Sequence, residues 1–198
     1  MKNRELILGS ESPRRREILS CFAIPFRQVS SFFDEASILF AGDPRDYVKQ
    51  ISGGKSESLA PRFPNDIILT ADTIVYRAGK SYGKPVDEEE LYRFLKELEG
   101  QWHSVFTSLT LREGSEVYEQ TEETRVLFNH LSDRQIELYR HRLPWQDKAG
   151  GYMIQSAGSL MINRIEGCYN NVLGLPINAL HDLLSKVGID LWSYLGPG

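Results

Sequence analysis

The stretch DIILTADTIVY, residues 66–76, sets the tightest limit on what this chain can fold into. Its apolar, β-branched character reads as buried strand, either one long bent strand or a strand pair, and such a strand needs a sheet around it. Asp72 interrupts the run. A carboxylate in a buried strand is costly to ionise unless a partner compensates it. Three roles fit Asp72: a structural cap on nearby backbone N–H groups, a metal ligand, or a general base.

The surrounding segments supply the rest of the sheet and its helices. Residues 5–8 read as a buried strand, 13–21 as a helix and 24–29 as a second strand, which makes a β-α-β opening. GDPRDYVKQI starts a helix with Asp43 as cap and Pro44 in the first turn, and another helix runs over 87–99 with Asp87 to Glu90 at its start and Gly100 past its end. HSVFTSLTLRE and EVYEQTEETRVLF read as paired strands, and SDRQIELYRHR as a helix with a capping box of Ser132 and Gln135. SLMINRIEG is a late strand, and PINALHDLLSKVG closes with an amphipathic helix ended by Gly188. The pattern predicts an α/β class with a mixed central sheet flanked by helices. No domain boundary shows over residues 1–198, and the Gly/Pro-containing stretches at 52–64 and 144–151 read as loops.

Near the start, GSESPRRREIL places Ser12 at an N-cap and Pro13 at the first helical position, so Arg14, Arg15 and Arg16 fall in the opening turn. That turn already carries the positive end of the helix dipole, and each arginine there is unfavourable by roughly 0.3 to 1 kcal/mol. Either the arginines spread into solvent toward Glu11 and Glu17, or an anion completes the site. A helix N-terminus with guanidinium groups beside it binds phosphate well, and three arginines together favour that reading.

Composition narrows the function. With 198 residues, a formal net charge of -4 and a pI of about 5.6, the chain is poorly suited to general nucleic-acid binding, so any basic site is local. Cys21 and Cys168 are far apart and form no zinc or disulfide pattern, which fits a reducing cytoplasm. No signal-peptide core or membrane span is expected. The four histidines show no ligand spacing, no GxSxG elbow marks a serine nucleophile, and AGKSYGK lacks the first glycine of a P-loop because Ile74 stands there.

What remains resembles equipment for a polyphosphate. Lys55 follows ISGG, Lys84 sits between Gly83 and Pro85, and Lys148 precedes two glycines, a pattern that lets backbone and ammonium approach phosphate together. Asp34 and Glu35 in SSFFDEA offer hard oxygen ligands for Mg²⁺ or Mn²⁺.

Taken in order, GSESPRRREIL, DE at 34–35, GKSESLA, ADTIV, YGKP, HSVFT, DKAGGYMIQ and GCYNNVLGLP resemble the Maf family of septum-formation-like nucleotide pyrophosphatases over nearly the whole chain. The resemblance implies a two-lobed, ITPase-like α/β fold with a nucleotide cleft, commonly as a homodimer. It also implies metal-dependent hydrolysis of a nucleoside triphosphate to the monophosphate and pyrophosphate, and DKAGGYMIQ is similar to the branch acting on dTTP and UTP. By motif position, Asp72 corresponds to the proton acceptor, and Arg14, Thr73 and Gln155 to positions linked to substrate choice. Glu35, Lys55 and Lys84 correspond to the remaining catalytic pocket. The chain's own chemistry adds Ser10, Arg15 and Lys148 as substrate contacts and Glu35 and Asp72 as metal ligands, with Asp72 either the base or a ligand. Glu11 departs from the usual small residue beside the phosphate site. A pyrophosphatase for a modified or purine nucleotide, and a non-catalytic nucleotide sensor, are the alternatives.

Overall fold

The computed structural model describes residues 4–196. A mixed seven-stranded sheet runs through them, built from β1 (Leu6–Gly9), β2 (Phe26–Val29), β3 (Ile67–Arg77), β4 (Lys80–Tyr82), β5 (Trp102–Glu113), β6 (Glu116–Phe128) and β7 (Ile162–Glu166). The spatial order is β2-β1-β3-β5-β6-β7, with β4 paired to β3. β1 lies parallel to β2 and β3, and every other pairing is antiparallel. The helices are α1 (Pro13–Leu19), α2 (Pro44–Leu59), α3 (Glu88–Leu98), α4 (Asp133–Arg142), α5 (Tyr169–Val172) and α6 (Ile177–Lys186).

Local chemistry sets most of these boundaries. Ser12, Asp43, Asp87 and Ser132 cap α1, α2, α3 and α4 through their side chains, and Ser132 with Gln135 forms the predicted capping box. Residues 66–76 resolve into one strand rather than two. The β3–β4 hairpin turns through Ala78 and Gly79, both at positive φ, as a tight two-residue turn between twisted strands requires.

Three expectations need correction. Ser52 to Leu59 belong to α2 rather than to a loop, because Gly53 and Gly54 continue the helix. A Cβ on Gly54 would lie 2.4 Å from the Phe33 ring, so the absent side chain makes room for a packed aromatic. Helix α1 stops at Leu19, and the late strand covers only Ile162–Glu166 because Ser156–Met161 coils as a 3₁₀ turn.

Side chains alternate across the sheet, which separates two packed faces. On one face Leu6, Leu8, Leu69, Val75, Leu109 and Leu111 join Leu91 and Leu95 of α3 and Leu180 and Leu184 of α6 in the main core. On the other, Ile7 and Ile68 pack on Leu59 of α2, and Ile74 and Phe106 pack on Val48. Among the described residues no helix is long and apolar enough to cross a membrane.

The feature that positions the site is a gap in strand pairing. One edge of β3 pairs with β5 continuously from Ile67 to Tyr76. Its other edge pairs with β1 only as far as Thr70, and with β4 only from Val75 onward. Residues 71–74 therefore have no strand on that side, and a cleft of about 780 Å³ opens there.

Candidate active site

All ten residues proposed from the sequence line this cleft: Ser10, Arg14, Arg15, Glu35, Lys55, Asp72, Thr73, Lys84, Lys148 and Gln155. They come from the end of β1, the first turn of α1, the segment before α2, α2 itself, β3, the loop after β4 and the irregular segment 147–155.

Asp72 and Thr73 occupy the pairing gap, and because strand residues alternate they address opposite faces. On the α2 face, Lys55 Nζ donates to Asp72 Oδ1 at 2.9 Å and reaches Glu35 Oε1 at 2.8 Å. Asp72 and Lys55 are buried, whereas half of the Glu35 side chain is open to solvent. Burial pushes Asp72 above the usual carboxylate range despite the opposing charges of Lys55 and Arg15. Burial also acts to raise Glu35, but Lys55, Lys84 and Arg15 outweigh it and hold Glu35 below that range. Two neighbouring carboxylates are thus driven apart, which suits one for taking a proton and the other for remaining charged.

On the opposite face Arg15 is buried and committed to protein partners. Its Nε donates to Gly174 O at 2.8 Å, Nη1 to Ser10 Oγ at 3.0 Å and Nη2 to Thr73 Oγ1 at 2.9 Å. The three arginines of α1 therefore part ways: Arg15 braces the cleft wall, Arg14 lines the cleft and donates to Asp147 O at 3.3 Å, and Arg16 is exposed. Lys84 is exposed, and Lys148 is half-buried with its ammonium disfavoured by burial and by Arg14. A phosphate chain would relieve such crowding of positive charge. Glu11 is exposed at the rim. Gln155 is half-buried, and no described residue hydrogen-bonds its amide.

Asp72 and Glu35 fit a divalent cation in their chemistry. Among the described residues no group of three or more His, Cys, Asp or Glu side chains could hold an ion. Mg²⁺ is commonly held by one or two carboxylates and completes its shell with phosphate oxygens and water, so this pair suffices only together with a polyphosphate.

A family model described as "Maf-like protein" matches residues 5–187. The chain belongs to the Maf family. A Chlamydia caviae protein named dTTP/UTP pyrophosphatase is 43% identical over 192 residues, covering 96% of this chain and 98% of its own. A Pyrococcus furiosus protein of the same name is 42% identical over 181 residues, covering 91% and 94%. The Staphylococcus aureus Ham1 protein shows a remote structural likeness, with a TM-score of 0.44, 12% identity, and coverage of 63% of this chain and 72% of its own.

The structure of this Maf protein also brings in residues that sequence reasoning missed. Tyr47, Ile51 and Lys55 recur every four residues and line the cleft from one face of α2. Burial, with the charges of Asp72 and Glu35, raises the Tyr47 phenol. Tyr152, between Lys148 and Gln155, is held by His103 Nε2 at 2.8 Å, and burial lowers that histidine to about 4, which keeps it neutral. The Tyr47 signal was readable only if α2 continued through its two glycines.

Proposed function

We propose that this chain is a nucleoside triphosphate pyrophosphatase that converts UTP and dTTP to the nucleoside monophosphate and pyrophosphate. The observation that carries the reading is the buried Asp72, raised in pKa and held by Lys55 at 2.9 Å, inside a cleft whose walls also present Arg14, Lys84 and Lys148. The names of the relatives support the same reading.

Water attacks the α-phosphorus, a P–O bond forms, and the bond to the bridging oxygen breaks so that pyrophosphate leaves. Asp72 accepts the proton of the attacking water. Its Oδ1 is held by Lys55, and Oδ2 has no hydrogen-bond partner among the described residues, so Oδ2 is the oxygen free to accept. Arg14, Lys84 and Lys148 bind the triphosphate, and Lys55 keeps both carboxylates in register. A divalent cation, Mg²⁺ or Mn²⁺, held by Glu35 together with the phosphate oxygens, would draw charge from those oxygens, which leaves Asp72 to take the proton. The same proposal takes residues 1–198 as a single-domain cytoplasmic homodimer.

Incubation with a panel of nucleoside triphosphates and Mg²⁺ or Mn²⁺, followed by product chromatography, tests the reaction. Monophosphate and pyrophosphate are expected. Diphosphate with inorganic phosphate, or binding without cleavage, would overturn the reading.

A further inference from the structure

Two hydroxyls on the cleft wall receive hydrogen bonds from the same guanidinium, yet they are left with opposite capacities. Ser10 Oγ accepts from Arg15 Nη1 at 3.0 Å and from the Ser12 backbone N–H at 3.3 Å, which uses both lone pairs and leaves its proton free. Thr73 Oγ1 accepts from Arg15 Nη2 at 2.9 Å and lies 2.9 Å from Thr107 Oγ1. Thr107 has one proton, and it is committed to the Asn171 carbonyl at 3.0 Å. Thr107 can therefore only accept from Thr73. The Thr73 proton points away from the cleft, and one lone pair remains to face it.

We infer that Thr107, fully buried on the neighbouring strand β5 opposite Thr73, is a positioning residue that fixes Thr73 as a hydrogen-bond acceptor toward the bound nucleotide, so that Thr73 selects a substrate N–H or O–H. Ser10 offers the reverse polarity and suits a phosphate oxygen. The inference rests on the proposed nucleotide substrates. UTP and dTTP share two such donors, the base N3–H and the ribose 3′-hydroxyl, while the 2′-hydroxyl is excluded because dTTP lacks it. A Cβ on Gly174 would lie 3.2 Å from Thr73 Oγ1, so the glycine keeps this wall open to the hydroxyl.

The test compares kcat/KM for UTP, N3-methyl-UTP and 3′-deoxy-UTP in the wild type, Thr107→Val and Thr107→Ser. In the wild type, the analogue lacking the selected donor should lose about 10-fold, the scale of one hydrogen bond. In Thr107→Val the Thr73 proton is free to turn, so that penalty should shrink several-fold, and Thr107→Ser should restore it. Thr73→Val closes the same cycle if Thr107→Val does not fold, and the penalty should shrink there too. Equal use of UTP and both analogues by the wild type would overturn the inference, as would a penalty that persists unchanged in folded Thr107→Val or Thr73→Val. A wild type that cleaves no nucleoside triphosphate would instead fail the proposed function.

Discussion

Asp72 and Thr73 are consecutive in the chain and serve opposite faces of the sheet, Asp72 bonding Lys55 of α2 and Thr73 bonding Arg15 of α1. The arrangement depends on the gap between β1 and β4, because a paired strand on that edge would cover both residues. In the proposed reaction one strand thereby supplies both the acid–base side and the wall that meets the rest of the nucleotide.

Asp72→Asn removes the proposed proton acceptor and keeps the shape. Turnover should fall by at least about 100-fold, within the range for loss of a general base. Near-normal turnover by a folded variant would make Asp72 structural.

The pH dependence follows from the raised Asp72. A base acts in its ionised form, so kcat/KM should rise with pH along an acid limb whose midpoint lies above the ordinary aspartate value of about 4, and Asp72→Asn should lose that limb. Stability runs the other way. A carboxyl with a raised folded pKa favours the folded state below its unfolded pKa, and the advantage is lost as pH climbs through the folded value. Asp72→Asn does not titrate, so its stability relative to the wild type should improve as pH rises through that window, as measured by urea unfolding.

The neighbouring arginines should separate cleanly. Arg14→Ala should weaken triphosphate binding and leave folding unharmed, since a repulsive charge at a helix start is gone. Arg15→Ala instead leaves Ser10, Thr73 and Gly174 without their shared donor, at a cost of about 1–3 kcal/mol for unmade buried hydrogen bonds. Equal stabilities for the two variants in urea would contradict the bracing role of Arg15.

That contrast marks where sequence reasoning reached its limit. Asp72 was legible because one carboxylate in an apolar strand breaks a strong pattern, and the strands and caps were legible from period and cap chemistry. The burial of Arg15 was not, since three adjacent arginines read alike until the helix is docked against Gly174, which lies far along the chain. Gly53 and Gly54 pointed to a loop because their helical cost is local, while the compensating Phe33 contact is tertiary. Thr107 ends the HSVFT stretch, but its role carried no signal, because the direction of a hydroxyl proton depends on β3–β5 register and on α5 at Asn171.

Gly54→Ala probes that contact. At an exposed helical position the change would stabilise by roughly 1 kcal/mol. Here the new methyl meets the Phe33 ring at 2.4 Å, and Phe33 lines the cleft. The ring must move, so KM for UTP should rise while urea stability gains nothing. A stabilised variant with unchanged KM would show that Phe33 does not shape the site.

The proposed base preference assigns the first contact to Gln155. Its amide can donate to O4 and accept from N3–H, the pattern uracil and thymine share, whereas cytosine presents the reverse. A free amide can rotate to suit either base, and no described residue bonds the Gln155 side chain. Discrimination therefore needs a second group of fixed polarity, and Thr73 is one if its lone pair accepts N3–H, with the Gln155 amide then donating to O4 alone. UTP and dTTP should be cleaved well, and CTP, ATP and GTP at least about 10-fold less efficiently, a modest part of what unpaired polar groups can impose. Gln155→Ala should lower kcat/KM for UTP and shrink the UTP-to-CTP ratio without abolishing it, because Thr73 remains. Comparable kcat/KM for CTP and UTP in the wild type would remove both the pyrimidine assignment and the role of Gln155, and an unchanged ratio in Gln155→Ala would move base selection to other residues of the cleft.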